Sequence, residues 1–287
     1  MKRAAMIFAV LAISVCTLSQ SAWAQANPTP TQNPPAGQSA QNAATQAAPA
    51  GKRPPQAKSQ PEFDAYKAIV SMTDPAAEEK AANDFAAKYP DSELRPLVFK
   101  TAMHGYQQAN NADKMMEMAQ KVLSYDPDDP EALLATAQVI AERSHDSDLD
   151  HDQKVAEARK DAQRALVTVD TDVPNSGYPP DRLQAFKSLL RSDAYEVIGT
   201  LDFNAKNWAD AETNLKKSIE AYPQQVDPVA VLRLSLTLDQ ESRYPDALKY
   251  AGQAVDMTKE GTATGDAARH EKDRLTQLNS GTAPAQK

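Results

Sequence analysis

Alternating aspartates between residues 145 and 158 are the most chemically suggestive feature of this sequence. With a glutamate that follows, they have most of the ligand spacing of a calcium-binding helix–loop–helix, in which oxygens at places 1, 3, 5, 7 and 12 hold the ion. The candidate ligands are Asp146, Asp148, Asp150, Asp152 (through its carbonyl) and Glu157. His151 occupies the sixth place, where the sharp turn of such a loop needs glycine, and no second loop of this kind occurs. We therefore favour a different interpretation, in which Asp150 or Asp152 caps a helix and the other acids face water.

No pattern in the sequence predicts catalysis. The four histidines are scattered, without the H-E-x-x-H spacing of a zinc site, and the sequence has neither a G-x-S-x-G motif nor a glycine-rich phosphate loop. The only cysteine, Cys16, lies in an N-terminal apolar run, so the chain after it has no thiol nucleophile, disulfide or zinc–cysteine site. We predict a protein that is not an enzyme and that needs no cofactor.

The N-terminus has the pattern of a secretory signal peptide. Lys2 and Arg3 precede the apolar run of residues 4–15, and small residues at 22 and 24 form a cleavage site after Ala24. The apolar run is too short to span a bilayer. We therefore predict a signal peptide in residues 1–24, a periplasmic or secreted protein, and no membrane span.

Residues 25–61 are rich in proline, alanine and glutamine, contain no acidic residue, and lack apolar residues large enough to build a core. This composition predicts a disordered tether. The rest of the chain contains all the acidic residues of a protein whose net charge is −8. Such an acidic folded part argues against a nucleic acid as the partner.

From residue 62 onward the apolar residues follow a helical period. In residues 207–223, for example, Ala211, Leu215 and Ile219 recur every four residues and so share one face, and Pro223 stops the helix. Sustained alternation of the kind that predicts strands is absent. The sequence therefore predicts an all-α fold.

Residues 193–223 also place large and small residues at fixed positions. The large residues include Tyr195, Ile198, Trp208, Leu215 and Ile219, and the small ones are Gly199, Ala211 and Ser218. In this pattern the segment resembles one tetratricopeptide repeat, a helix–turn–helix unit of about 34 residues whose small residues lie where the two helices approach closely. Further copies of the pattern fall in residues 62–90, 96–129, 133–166 and 228–259.

The resemblance implies a right-handed superhelical stack of helix–turn–helix hairpins, an α-solenoid, because each hairpin buries its apolar face only against a neighbour. We expect about five hairpins in residues 62–260, with insertions near 144–152 and 171–180. The chain should then end in a capping helix, 261–279, and a disordered tail, 280–287.

In the tetratricopeptide family, fixed positions of each first helix line a concave groove. Transferred to this sequence, they nominate a partner-binding set: Lys100, His104, Gln107, Leu134, Gln138, Glu196, Thr200, Phe203, Leu232 and Leu236. The lysines and asparagine with which some repeats clamp a peptide's terminal carboxylate are not matched, since His104 follows Lys100 where asparagine is needed. We expect instead an extended or helical peptide on an apolar stripe. Alternatively, some of these residues pack between repeats or against the terminal helix.

Three functional hypotheses follow. The leading one is a non-enzymatic periplasmic or secreted scaffold that binds a protein or peptide partner in the groove. The first alternative is a component of outer-membrane or envelope assembly, since AAKYPDSEL at residues 86–94 is similar to repeat junctions of tetratricopeptide lipoproteins. Those proteins are anchored through an N-terminal cysteine, which the chain after Ala24 lacks. The second alternative is a calcium-dependent interaction module acting through residues 146–157.

Overall fold

The computed structural model describes residues 52–145, 147–174 and 179–280. The predicted signal peptide, residues 25–51 of the predicted tether, Asp146 and the tail from residue 281 lie outside the described residues.

All regular structure in the described ranges is helical. The α-helices are α1 Gln60–Val70, α2 Pro75–Lys88, α3 Arg95–Gln108, α4 Ala112–Tyr125, α5 Pro130–Arg143, α6 His151–Thr171, α7 Pro180–Asn204, α8 Trp208–Ala221, α9 Pro228–Gln240, α10 Tyr244–Asp256 and α11 Ala263–Asn279. A short 3-10 helix, Pro223–Gln225, precedes α9. None of the helices in these ranges is long and apolar enough to cross a membrane.

In the described residues, consecutive helices pair into five hairpins, α1–α2, α3–α4, α5–α6, α7–α8 and α9–α10. Each hairpin packs on the next one, and first helices also contact first helices, as in α1 with α3, α5 with α7 and α7 with α9. Helix α11 packs on α10 and, less extensively, on α9. This order confirms the predicted all-α solenoid of stacked hairpins.

Three helices begin with the same aspartate–proline pair. The carboxylates of Asp74, Asp129 and Asp227 accept hydrogen bonds from the first free N–H groups of α2, α5 and α9, at 3.2, 3.0 and 2.8 Å. The proline that follows fits the first helical turn, where an N–H would lack a partner within the helix. The sequence therefore specifies where three of the ten hairpin helices start.

The turns inside the second, fourth and fifth hairpins share one geometry. Asn110, Lys206 and Ser242 have φ angles of 54°, 59° and 60°. In each case the next residue donates its N–H, at 2.9 Å, to the carbonyl five residues earlier. This is the left-handed end of a helix in which glycine is the usual residue and asparagine the next, so Lys206 and Ser242 are held in a disfavoured backbone conformation that Asn110 tolerates.

Replacing Ser242 with glycine is expected to raise the free energy of unfolding by up to about 1 kcal/mol. The strain at a positive φ is removed, while the greater freedom of glycine in the unfolded chain offsets part of the gain. The matched control is Gln253→Gly in the last turn of α10, where the backbone is helical, and it is expected to lower stability by up to about 1 kcal/mol. Urea denaturation followed by circular dichroism measures both, and a destabilised Ser242→Gly variant would contradict the argument.

Close helix contacts depend on small residues, as the repeat pattern predicts. A Cβ added to Gly199 would lie 2.9 Å from Cγ of Leu215 and 3.1 Å from its backbone nitrogen. Nearby, Ser192 donates its hydroxyl to the carbonyl of Ser218 at 2.8 Å, and both residues are buried. Helices α7 and α8 therefore approach closely along a line of small side chains, because larger side chains would overlap there.

The third and fourth hairpins are longer than the others because helices replace part of the predicted insertions. Helix α6 begins at His151, so the inserted segment supplies a turn of residues 144–150 and additional helix before Ala158. Helix α7 begins at Pro180, well before residue 193, where the repeat pattern starts. Its added turns bury Phe186 and Leu190 in the same core as α6.

An extended segment, residues 52–58, lies along the stack; we call it the N-terminal strap. The amide of Lys52 donates to the carbonyl of Thr171 at 2.8 Å, and its Nζ lies 2.6 Å from Oδ2 of Asp126. The guanidinium of Arg53 binds both carboxylate oxygens of Glu93, at 2.6 and 2.8 Å, and lowers the pKa of Glu93 to about 2. The last part of the segment that composition assigns to a disordered tether is thus bound to three hairpins.

Glu78 on α2 carries a carboxyl that is only 4% exposed. Among the described residues, its Oε2 has no hydrogen-bond partner. The carboxyl lies over Gly105 of α3, where any Cβ would overlap with it. Burial, together with the negative charge of Asp74, raises the pKa of Glu78 to about 7. Glycine at 105 therefore makes room for a carboxyl that is half protonated near neutral pH.

The Glu78→Gln variant is expected to lose a pH dependence that the natural protein shows. Because the folded pKa of Glu78 exceeds its ordinary value of 4.5, its favourable contribution is complete below pH 4.5 and is lost as the pH rises through about 7. At a pH of about 8 the variant should be more stable by on the order of 2 kcal/mol. Urea denaturation between about pH 5 and 8 measures this. The control is the neighbouring Glu79, whose pKa is lowered by the hydroxyl of Tyr106, so that Glu79→Gln should destabilise the protein instead.

Candidate partner-binding cleft

A cleft of about 940 Å³, which includes space open to solvent, runs across the first helices of four successive hairpins. Helices α3, α5, α7 and α9 supply nearly all of its lining. Its larger apolar residues are Met103, Met115, Leu134, Leu190, Val197 and Val229, and all of them except Val229 are at most 5% exposed. Helix α7 packs directly on α5 and on α9, and the ion pairs of Lys100 with Asp129 and Glu131 join α3 to the start of α5.

The structure brings six of the ten predicted groove residues into this cleft: His104, Gln107, Leu134, Gln138, Glu196 and Thr200. The other four lie elsewhere. Lys100 is buried in an ion-pair cluster, and Phe203 packs edge-on against Trp208 with ring centroids 5.5 Å apart. Leu232 and Leu236 belong to an apolar cluster that includes Ala268 of α11. The terminal helix therefore covers the end of the stripe that the repeat positions predict.

A buried ion-pair cluster lies at the α3 end of the cleft. Nζ of Lys100 is 2.5 Å from Oδ2 of Asp129 and 2.7 Å from Oε1 of Glu131, and Nε2 of His104 is 3.1 Å from the other oxygen of Glu131. The side chains of Lys100, Asp129 and Glu131 are at most 14% exposed. Since Asp129 also caps α5, the cluster fixes the start of α5 against α3.

Burial and the neighbouring charges have opposite effects on the pKa values of the groups in this cluster. Burial alone would raise the pKa of Glu131, but the charge of Lys100 and the contact with His104 lower it to about 2. Burial outweighs Lys100 at Asp129, so the pKa of that carboxyl is raised. For Lys100 the two carboxylates outweigh burial and raise its pKa. The depressed pKa of Glu131 contributes stability that is complete above about pH 4.5 and is lost as the pH falls towards 2.

The lining of the cleft carries an excess of negative charge. Five carboxylates line it, against one arginine and one histidine: Glu131, Glu142, Asp193, Glu196 and Asp227, with Arg233 and His104. Arg233 Nη1 stands 3.7 Å from Oε1 of Glu196, too far for a hydrogen bond. Most of these acids were not among the predicted residues, although Glu131 and Asp193 occupy family groove positions. The sequence feature that could have identified these residues is their shared negative charge and not their spacing.

The acidic stretch does not form a calcium loop in the described residues. Helix α6 begins at the sixth place of the predicted loop, so Asp152 and Glu157 are exposed on a helix instead of turning inward. Asp148 accepts a hydrogen bond from the amide of His145 at 3.0 Å. In the ranges that the structure describes, no three histidine, cysteine, aspartate or glutamate side chains come together to hold a metal ion. Asp146 lies outside those ranges.

The predicted capping of α6 is also wrong in its detail. Asp150 occupies the N-cap position, but its side chain makes no capping hydrogen bond. Its carboxylate instead lies 3.0 Å from Nζ of Lys154, one turn along the helix. The carboxylate of Asp150 therefore forms an ion pair along the helix surface instead of a capping hydrogen bond.

The order of the hairpins, the first helices lining one face, and the small residues between α7 and α8 together decide the fold. The chain has a tetratricopeptide-type fold. Comparison with protein-family models and with curated proteins finds no match. Among solved structures, pilF of Pseudomonas aeruginosa matches with a TM-score of 0.49 and 15% identity, covering 79% of this chain and 96% of that one. An assembly chaperone of RpL4 (Acl4) matches with a TM-score of 0.42 and 10% identity, covering 77% and 97%.

Proposed function

We propose that the chain is a non-enzymatic scaffold of the cell envelope, periplasmic or secreted, that binds a protein or peptide partner in the cleft. The observation that carries the proposal is the cleft itself, which is continuous over four helices and combines apolar side chains with polar ones. Grooves of this composition suit polypeptides, since apolar pockets supply affinity and polar groups fix register. The N-terminal sequence supports export.

Neighbouring packed helices lie roughly 8–10 Å apart, so four first helices span roughly 25–30 Å. An extended peptide rises about 3.3 Å per residue, and eight or nine residues cover that length. We therefore propose that the contacted part of the partner is a short segment rather than a folded domain.

Site-specific cross-linking in living cells tests the proposal. A photo-reactive phenylalanine analogue placed at Gln138, in the cleft, should give discrete cross-linked species on illumination. The same analogue at Glu220, exposed on the outer helix α8, is the control and should give none. Equal cross-linking at the two positions, or none at Gln138, would refute partner binding in the cleft. Mass spectrometry of the mature N-terminus tests export independently, with Gln25 as the expected first residue.

A further inference from the structure

The N-terminal strap binds the places where one hairpin passes into the next. Arg53 binds Glu93, in the junction before α3, and Nζ of Lys52 binds Asp126, in the junction before α5. The amide of Lys52 also donates to the carbonyl of Thr171 at the end of α6. Two consecutive residues of the strap thus contact the junctions that precede two helices of the cleft, and the strap reaches from the first hairpin to the third.

The length of the strap matches the spacing of three hairpins. Seven extended residues span about 20 Å. Packed helices lie roughly 8–10 Å apart, so three successive ones span roughly 16–20 Å. Each repeat of a solenoid packs on its neighbours, and in the described ranges the helices of the first and third hairpins make no extensive contact with each other. The strap therefore ties together hairpins that the helix packing leaves unconnected.

The two ends of the strap are held differently. Near α1, the amide of Lys58 donates at 2.7 Å to Glu62, which is 2% exposed, and Ala57 packs against the core of the first two hairpins. At the other end the contacts are ion pairs between partly exposed groups, and the side chains of Arg53 and Glu93 are 67% and 38% exposed. Exposed ion pairs are individually weak and are screened by salt. The end at Lys52 is therefore expected to detach while the end near α1 stays in place.

Asp126 connects the strap to the cleft. Its carbonyl accepts a hydrogen bond from the amide of Asp129 at 3.2 Å, and Asp129 in turn caps α5 and contacts Lys100 of α3. The position of Asp126 is thus coupled to the start of α5 and to its distance from α3. Helix α5 carries Leu134 and Gln138, which line the cleft.

We propose that the strap is a releasable clasp that sets the spacing of the first three hairpins, and with it the width of the cleft between α3 and α5. On the premise that the proposed function holds, the bound strap keeps the cleft narrow, and its release lets the hairpins separate so that the partner enters or leaves. Pro54 and Pro55 restrict the backbone of the strap when it is released, which lowers the entropy that is lost when it binds again.

Distances between spin labels test the clasp in the full chain. In a Cys16→Ser background the chain has no other cysteine, so labels attach only at Ala87→Cys in α2 and Gln163→Cys in α6, both exposed positions. Double electron–electron resonance then gives the distribution of distances between the first and third hairpins. The Lys52→Gln/Arg53→Gln variant removes the ion pairs of the strap. We expect its distribution to be about twice as wide as that of the natural strap.

Three controls make the result specific. Lys58→Gln removes a cation from the strap, but the contact of Lys58 with Glu62 is made by its backbone amide, so the distribution should stay narrow. Raising sodium chloride from about 0.05 to about 1 M should widen the distribution for the natural strap and leave that of the Lys52→Gln/Arg53→Gln variant unchanged, since the screening length falls to about 3 Å. A second label pair, Glu220→Cys and Gln253→Cys in the fourth and fifth hairpins, should respond to none of these changes.

Equal widths for the natural strap and the Lys52→Gln/Arg53→Gln variant at low salt would overturn the clasp. Widening at the second label pair, or a loss of the helical circular dichroism signal in the variant, would also count against it, because release of a clasp leaves the other hairpins and the helices intact. No partner takes part in these measurements, so failure of the clasp is distinguishable from failure of partner binding, which the cross-linking at Gln138 tests.

Discussion

The Lys100→Met variant is expected to unfold with a free energy about 3–5 kcal/mol lower than that of the natural protein. Lys100 is the only cation that contacts Asp129 in the described part of the chain, and both groups are almost fully buried. Methionine fills the same volume but leaves two carboxylates without the charge that offsets their burial. Removing one partner of a buried ion pair leaves an uncompensated charge, which costs several kcal/mol.

Two comparisons make this result specific. Lys80→Met removes a lysine from an exposed pair with Asp84, and should have an effect too small to measure reliably. Restoring neutrality with Asp129→Asn and Glu131→Gln in the Lys100→Met background should recover most of the lost stability. Urea denaturation followed by circular dichroism measures all four chains. A loss below about 1 kcal/mol for Lys100→Met would mean that water or protons already neutralise the cluster.

The Phe99→Ala variant is expected to lose about 3–5 kcal/mol of stability by a different route. Phe99 of α3 is 1% exposed and its ring stacks on Tyr125 of α4 at a centroid distance of 5.8 Å. Truncation removes its transfer energy and leaves a cavity between the two helices of the second hairpin. The magnitude is read from the shift of the urea midpoint together with the slope of the transition.

The same truncation at Phe203 is the matched control. Phe203 is half-buried and meets Trp208 edge to face, with the ring planes at 69°, so its removal opens no cavity. We expect a loss of about 1 kcal/mol, the size of an aromatic pair. Losses of equal size at the two positions would mean that burial in the hairpin core is not the source of the effect.

The repeat pattern predicted the hairpins well because their signals are local. Small residues such as Gly199 must lie where helices touch, and the Asp–Pro pairs before α2, α5 and α9 mark helix starts. Six of the ten predicted groove residues line the cleft for the same reason, since the repeat frame assigns each of them to the inner face of a first helix.

The rest depended on contacts between distant parts of the chain. Leu232 and Leu236 have the right repeat positions, but helix α11 packs over their end of the stack. Lys100 is at a groove position, yet its neighbours Asp129 and Glu131 are brought to it by the adjacent hairpin and bury it. In the acidic stretch, the repeat pattern predicts an insertion near residues 144–152. The last residues of this insertion are helical, and α6 therefore starts at His151.

The position of the N-terminal strap determines where a force on the N-terminal side of the chain acts on the stack. At Lys52 the strap lies beside the C-terminal end of α6, in the third hairpin, and not beside the first hairpin in sequence. We expect a force applied at Lys52 to act first on the ion pairs of Lys52 and Arg53, and on α1 only after those contacts break. Such a force would therefore load the stack at its third hairpin, near its middle, and not at its first hairpin.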